Sequence, residues 1–477
     1  MFSWKIFAAA TVACGLILAS GANAEDSPVF RAGAYVMDVT PEKLPISSAG
    51  SMGPRHLDKV HDRLNARCLV LDNGNTKLAI AVVDSCMIPR DIFDAAKEIA
   101  SQETGIPVSH MLCAATHTHS AVTVSPVFQS EIDEDYCEFL TQRLAQGIIE
   151  AHARRQPARI GWAVGNNPRQ VFNRRWHMRR DYALPNPFGG TDYIKMNPPR
   201  ASDKLAQPVG PIDPEVSVLA VQTVEGKPLC LLANYSLHYV GGTPGGALSA
   251  DYFGEFARQI GAKLEVNPQE DGFVGIMSNG TSGDINNVDF FEGAPGRQPF
   301  EQIRLVAEDV ASSAKNAYDR IEFHTWVPLA MAEAEVELGV RKPTADEVAK
   351  ARQVLEKLGE GPYRDIVGIY AHETIDMDAY PETVQAKLQA LRIGELGIVS
   401  SPCETFVETG LAIKRDSPLK PTFTIELANG YNGYLPTARQ HQLGGYETWR
   451  AKSSYLASDA EEQVRSILLK LLTQVAE

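Results

Sequence analysis

Short apolar runs and helix-spaced segments take turns along nearly the whole of this 477-residue chain, and that alternation limits the folds open to it. Residues 32–38, 66–71 and 78–84 are rich in Val, Leu, Ile and Ala, and Asp72-Asn73-Gly74-Asn75 supplies a turn between the second and third. Residues 92–100 carry helical spacing, 110–115 read as a buried strand, and 131–155 form a long amphipathic pattern. Strand-like runs return at 216–221, 229–235 and 272–277, with helical patterns at 251–264, 300–318 and 458–472. Alternation of this kind predicts an α/β fold, a mixed β-sheet core flanked by helices.

The first residues read as an export signal: Lys5, an apolar stretch over 6–18, and the small-residue site Ala22-Asn23-Ala24. The expectation is therefore a signal peptide over 1–24 and one large domain over 25–477, exported to a periplasm or beyond. No later run is long and apolar enough to predict a membrane span. A formal charge of −14 argues against nucleic acid and gives no attraction to anionic membranes. Cys68, Cys113 and Cys230 sit inside apolar runs and read as small core residues, and no CxxC spacing marks a zinc knuckle. Residues 165–214 are rich in Asn, Arg, Pro and aromatics without periodicity, which predicts a long functional loop. Residues 344–359 predict a charged, exposed helix, and 370–383 an irregular section.

Chemistry gathers where apolar runs end. His117 and His119 stand two apart after 110–115, so an extended backbone would aim both to one side. The pair alone fits a metal site or one core and one solvated histidine. His238 follows 229–235, and the small-residue loop 277–287 follows another strand and can bring backbone N–H groups near a substrate oxygen. Glu404 follows 397–403 and reads either as a helix N-terminal acid or as a carboxylate ligand. Tyrosines at 431, 434 and 446 lie in turns, where packing roles are common. Two histidines and a carboxylate can hold zinc with a position left for water. No GxSxG elbow, HExxH helix or P-loop ending competes.

Taken in order, these segments resemble the neutral/alkaline (non-lysosomal) ceramidase family. The resemblance runs through Ala32-Gly33 to Pro41, Val60 to Arg67, Ala115-Thr116-His117-Thr118-His119-Ser120, Asn173-Arg174, the His238 segment, Asn279 to Asn287, the Glu404 segment, and Tyr434 with Tyr446. It implies a zinc-dependent amidohydrolase cleaving an N-acyl bond, with His117, His238, Glu404 and Tyr434 as Zn2+ ligands. His119, Arg174 and Tyr446 would line the pocket and polarise the carbonyl. Two departures stand out: Asn286 replaces the family's serine, and the chain ends in a helix where the family continues into an immunoglobulin-like domain. Asn286 would donate its amide to substrate or water in a mechanism without an acyl-enzyme. The substrate expected is a lipid or small-molecule amide. The alternatives are a smaller polar amide, ester or lactone, or a silent binding relative that keeps the pocket.

Overall fold

The computed structural model describes residues 29–266 and 272–477, with Met1, Phe2 and Trp4. The apolar stretch and cleavage site of the expected export signal lie outside the described residues. Eight strands form the larger sheet: β1 (Arg31–Asp38), β2 (Asn65–Asp72), β3 (Lys77–Val83), β4 (Met111–Ala115), β5 (Gln156–Asn166), β6 (Glu215–Thr223), β7 (Pro228–Tyr235) and β8 (Val274–Asn279). Their order is β8-β7-β6-β5-β1-β2-β3-β4. Only the outer pairs β3·β4 and β7·β8 are parallel. In the middle, β1 meets β5 through Arg31↔Pro157 and Ala32↔Gln156 alone, so the sheet divides there into two wings.

A second sheet, β9 (Leu329–Gly339), β10 (Thr383–Ile393), β11 (Leu396–Ser401) and β12 (Thr422–Glu426), runs in that order with β11·β12 parallel. The two sheets pack face to face. Leu78, Ile80 and Val82 of β3 meet the same core as Leu391, Ile398, Phe423 and Ile425. The alternate residues Ala79, Ala81 and Val83 face helices Arg90–Thr104 and Glu134–Ala153. Both faces of β3 are thus dry, which is why its sequence is an unbroken apolar run. Helices Asp251–Lys263 and Glu301–Tyr318 cover the other wing, and Ala460–Ala476 covers the outer face of the second sheet. The α/β expectation holds, with two sheets between helical layers.

Residues 165–214 form short strands and turns, including a three-stranded sheet built on Arg175–Met178. The charged helix forms at Ala345–Leu358, closed by a capping box between Thr344 and Glu347. The irregular section expected at 370–383 is corrected: Ile366–Asp378 is a helix, followed by β10. Its Tyr370, Glu373, Thr374 and Met377 are buried alongside Gly368 and Ile369, so no single apolar stripe announces it. The six described cysteines are free, and no helix among the described residues is long and apolar enough to cross a membrane.

The chain leaving β12 joins the sheets at one edge. Ala115 N donates to Leu427 O at 3.0 Å and Asn429 N to Cys113 O at 2.8 Å. The buried Asn429 side chain accepts from Lys97 Nζ (2.6 Å) and donates to Gln389 Oε1 (2.8 Å) and Ser400 Oγ (3.2 Å). Burial holds the Lys97 ammonium below its ordinary pKa, so its one close acceptor matters. We expect Asn429→Ala to cost about 3 kcal/mol or more, since it strands a buried ammonium and two further polar groups. Urea unfolding checks this; a loss below about 1 kcal/mol would contradict it.

Candidate active site

Strand ends deliver the site. His117 lies just beyond β4, with its N–H on Ser85 O at 2.8 Å. Its φ of 80° breaks the extended backbone, so alternation along a strand does not bring the two histidines together. They converge all the same, through that turn: His117 Nε2 and His119 Nε2 are 3.2 Å apart. From the loop after β7, His238 Nε2 comes to 3.0 Å of His117 Nε2. Glu404, beyond β11, begins a two-residue strand paired in parallel with Tyr434–Leu435, and its register partner is Tyr434. Gly283 packs against this pairing so closely that a Cβ there would lie 2.5 Å from Glu404 O.

Each imidazole sets its Nδ1 against a backbone carbonyl: His117 on Cys86 O at 2.7 Å, His119 on Gly50 O at 3.0 Å, His238 on Ser282 O at 3.2 Å. A carbonyl only accepts, so Nδ1 carries a proton, and in the neutral ring Nε2 presents a lone pair. Glu404 Oε2 is buried, makes no hydrogen bond, and sits 3.3 Å from His117 Nε2 and 3.7 Å from His238 Nε2. Lone pairs and an anionic oxygen this close repel unless a proton or a metal cation stands between them. Burial works against a charged His117, yet the Glu404 carboxylate outweighs it and holds the imidazole well above its ordinary pKa. Burial and the His117 charge push His119 and His238 well below theirs. The pocket therefore calls for one positive charge at its centre. His117, His238 and Glu404 offer ligand atoms all within 4.8 Å of one another, a group that does not take in His119. Donors about 2.1 Å from a tetrahedral ion lie about 3.4 Å apart, so these residues fit a metal.

Around them is a cavity of about 210 Å³ that also takes in Arg174, Tyr434, Tyr446, Tyr431, Asn197 and Tyr239. The buried Tyr434 hydroxyl accepts from Arg174 Nη2 at 3.1 Å. Burial and the Glu404 charge push the Tyr434 phenol well up, and Arg174 pulls it back. Tyr446 lies edge-on to Tyr434 with ring centres 5.8 Å apart. His119 stacks on Tyr239 at 3.7 Å, and Arg55 grips its backbone carbonyl.

Two expectations change. Asn286 is not among the residues lining the cavity: its Nδ2 donates to Asn197 Oδ1 at 2.7 Å, and Asn197 is the cavity residue. The 277–287 loop turns its donors inward, Gly280 N to Tyr235 O, Ser282 N to Glu426 Oε2 and Gly283 N to Thr405 O, so they do not face a substrate oxygen. Three residues have supporting roles that the sequence did not announce, Tyr431 having read only as a turn tyrosine. Tyr431 donates to Glu404 Oε1 at 2.9 Å, fixing which carboxylate oxygen faces the imidazoles. Glu426, whose carboxyl burial pushes up to about 8, accepts from Ser282 Oγ (2.6 Å) and Thr405 N (2.7 Å), bracing the segments behind His238 and Glu404. Glu447 pairs with Arg174. Only the spacing of Tyr431 and Glu447 to neighbouring site tyrosines hinted at them.

No family model matches the sequence, and no curated protein matches it. Among solved structures, the chain is similar to neutral ceramidase from Pseudomonas aeruginosa, with a TM-score of 0.71 at 18% identity, over 94% of this chain and 75% of that one. It is also similar to a ceramidase complexed with C2, with a TM-score of 0.70 at 17% identity over the same shares. The class is thus an α/β sandwich of two sheets between helices. Within that class the chain has a neutral-ceramidase-like fold.

Two substitutions read the site directly. Glu404→Gln should abolish stoichiometric metal binding, and Tyr431→Phe should weaken it about 10- to 100-fold by releasing the carboxylate. Competition against a chromophoric chelator measures both; unchanged affinity in Glu404→Gln would exclude this metal centre.

Proposed function

We propose that the chain is an exported zinc-dependent hydrolase that cleaves an amide (N-acyl) bond. The observation that carries the reading is the meeting of His117 Nε2, His238 Nε2 and the unpartnered Glu404 Oε2 at the cavity. The neutral-ceramidase-like fold and the motif resemblance support it. His117, His238, Glu404 and Tyr434 would hold Zn2+, a donor set of neutral imidazoles, carboxylate and phenol oxygen that suits that ion. Bound there, zinc supplies Lewis acidity and lowers the pKa of a water.

The side chains divide the remaining work. His119, neutral and with its Nε2 lone pair toward the cavity, takes the proton of the attacking water and returns it to the leaving nitrogen. Arg174 and Tyr446 stabilise the negative charge that develops on the carbonyl oxygen. Asn286 acts through Asn197: with its own amide donated to Asn197 Oδ1, it leaves the Asn197 NH2 for substrate or water. We place the catalytic domain over 25–477, after an export signal over 1–24.

A second reading, hydrolysis of a smaller polar amide, ester or lactone, is favoured by cavity size. About 210 Å³ is below the roughly 300–1,000 Å³ usual for drug-sized ligands, and Ser51, Asn197 and Ser453 stand among its lining residues. A long-chain lipid would have to leave most of its length outside this cavity.

Chelation of the purified chain should abolish hydrolysis of short- and long-chain N-acyl substrates, and added zinc should restore it. His119→Ala should lower kcat about 10²- to 10⁴-fold with zinc content unchanged. Turnover that survives complete metal removal would overturn the zinc-dependent mechanism, absence of turnover on every N-acyl substrate with zinc bound would overturn the hydrolase reading, and the preferred chain length separates lipid from small polar substrate.

A further inference from the structure

Beneath the cavity, three charged side chains are buried together. Arg174 and Arg175 are 5% and 0% exposed, and Glu447 is 0% exposed. Glu447 Oε1 accepts from Arg174 Nε at 2.9 Å, and Oε2 from Arg175 Nη1 at 2.6 Å. Arg175 is anchored further by Gln440 Oε1 (3.1 Å), Gln440 O (3.2 Å) and Gly444 O (2.7 Å). Arg174 Nη2 then reaches Gly283 O at 2.7 Å and the Tyr434 hydroxyl at 3.1 Å, with the guanidinium 5.6 Å over the Tyr434 ring.

The chain of contacts therefore runs from a fixed Arg175, through Glu447, to Arg174 and the Tyr434 oxygen. Arginine is a planar fork, so holding Nε fixes the direction of Nη2. A neutral residue at 447 could fill the space but would leave two guanidinium charges unpaired in a dry region. We infer that Glu447 is a positioning residue: bridging Arg174 and Arg175, it aims Arg174 so that the Tyr434 oxygen is held toward His117, His238 and Glu404. This rests on Tyr434 being a metal ligand, as proposed above.

Copper(II) is the probe, because a tyrosine oxygen bound to it gives a visible charge-transfer band whether or not the protein turns over substrate. Full-length protein loaded with one copper should show the band, and Tyr434→Phe should lack it. Glu447→Gln should weaken it by roughly threefold or more at equal copper content. Arg175→Met, which keeps the Glu447–Arg174 bond but removes the anchor behind Glu447, should weaken it less than Glu447→Gln does. Should Glu447→Gln fail to fold, Glu447→Gln with Arg175→Met restores the one net buried positive charge of the original trio and should still show the weakened band. An undiminished band in either Glu447 variant overturns the positioning role while leaving the ligand reading intact. A wild-type protein that binds copper with no band dependent on Tyr434 overturns the ligand reading, and this inference with it.

Discussion

Dry lone pairs facing one another at about 3 Å are the constraint on which the candidate site turns. His117, His238 and Glu404 arrive from separate strand ends, each oriented from behind: Cys86 O and Ser282 O fix the imidazole tautomers, and Tyr431 occupies one carboxylate oxygen. Those three supports leave His117 Nε2, His238 Nε2 and Glu404 Oε2 facing one another, with His119 Nε2 3.2 Å from the first. Such an arrangement costs free energy in an empty pocket and becomes favourable around a cation. The other buried ionisable groups follow the same logic: Glu426, Glu447 and Arg174 each engage groups behind the ligands, so the electrostatics of the site extend well past the donor atoms.

Much of the first sheet was legible because its strands are buried on both faces, so Leu78 to Val83 and Met111 to Ala115 read as apolar runs with turns between them. The ligand positions were visible for the same reason, as polar residues where such runs stop. β10 was hidden by Lys387 and Gln389, which are buried yet polar because Asp94 and Glu333 answer them across the fold. β5 was hidden by Gly161 and Gly165; at Gly165 a helix backbone approaches so closely that a Cβ would lie 2.7 Å from Ser313 O. Neither partner is near in sequence, so periodicity carries no trace of them.

The positive φ of His117 shows how a correct placement can arise from a different cause. Period-two alternation put both histidines on one side, and in the molecule a left-handed turn does so. Tyr431 and Glu447 illustrate the converse: their residue types were ordinary, and their importance comes entirely from which distant carboxylate or guanidinium they touch.

The junction at which Leu427 and Asn429 hydrogen-bond to β4 has a mechanical consequence. Two imidazoles come from loops of the larger sheet and the carboxylate from the smaller one, so an ion bound by all three would clasp the sandwich shut from one end. Free metal concentration then sets how firmly the halves adhere, since a ligand that binds only the closed form stabilises it by mass action. Under the proposed function, scarcity of the ion would loosen the whole body as well as silence its chemistry.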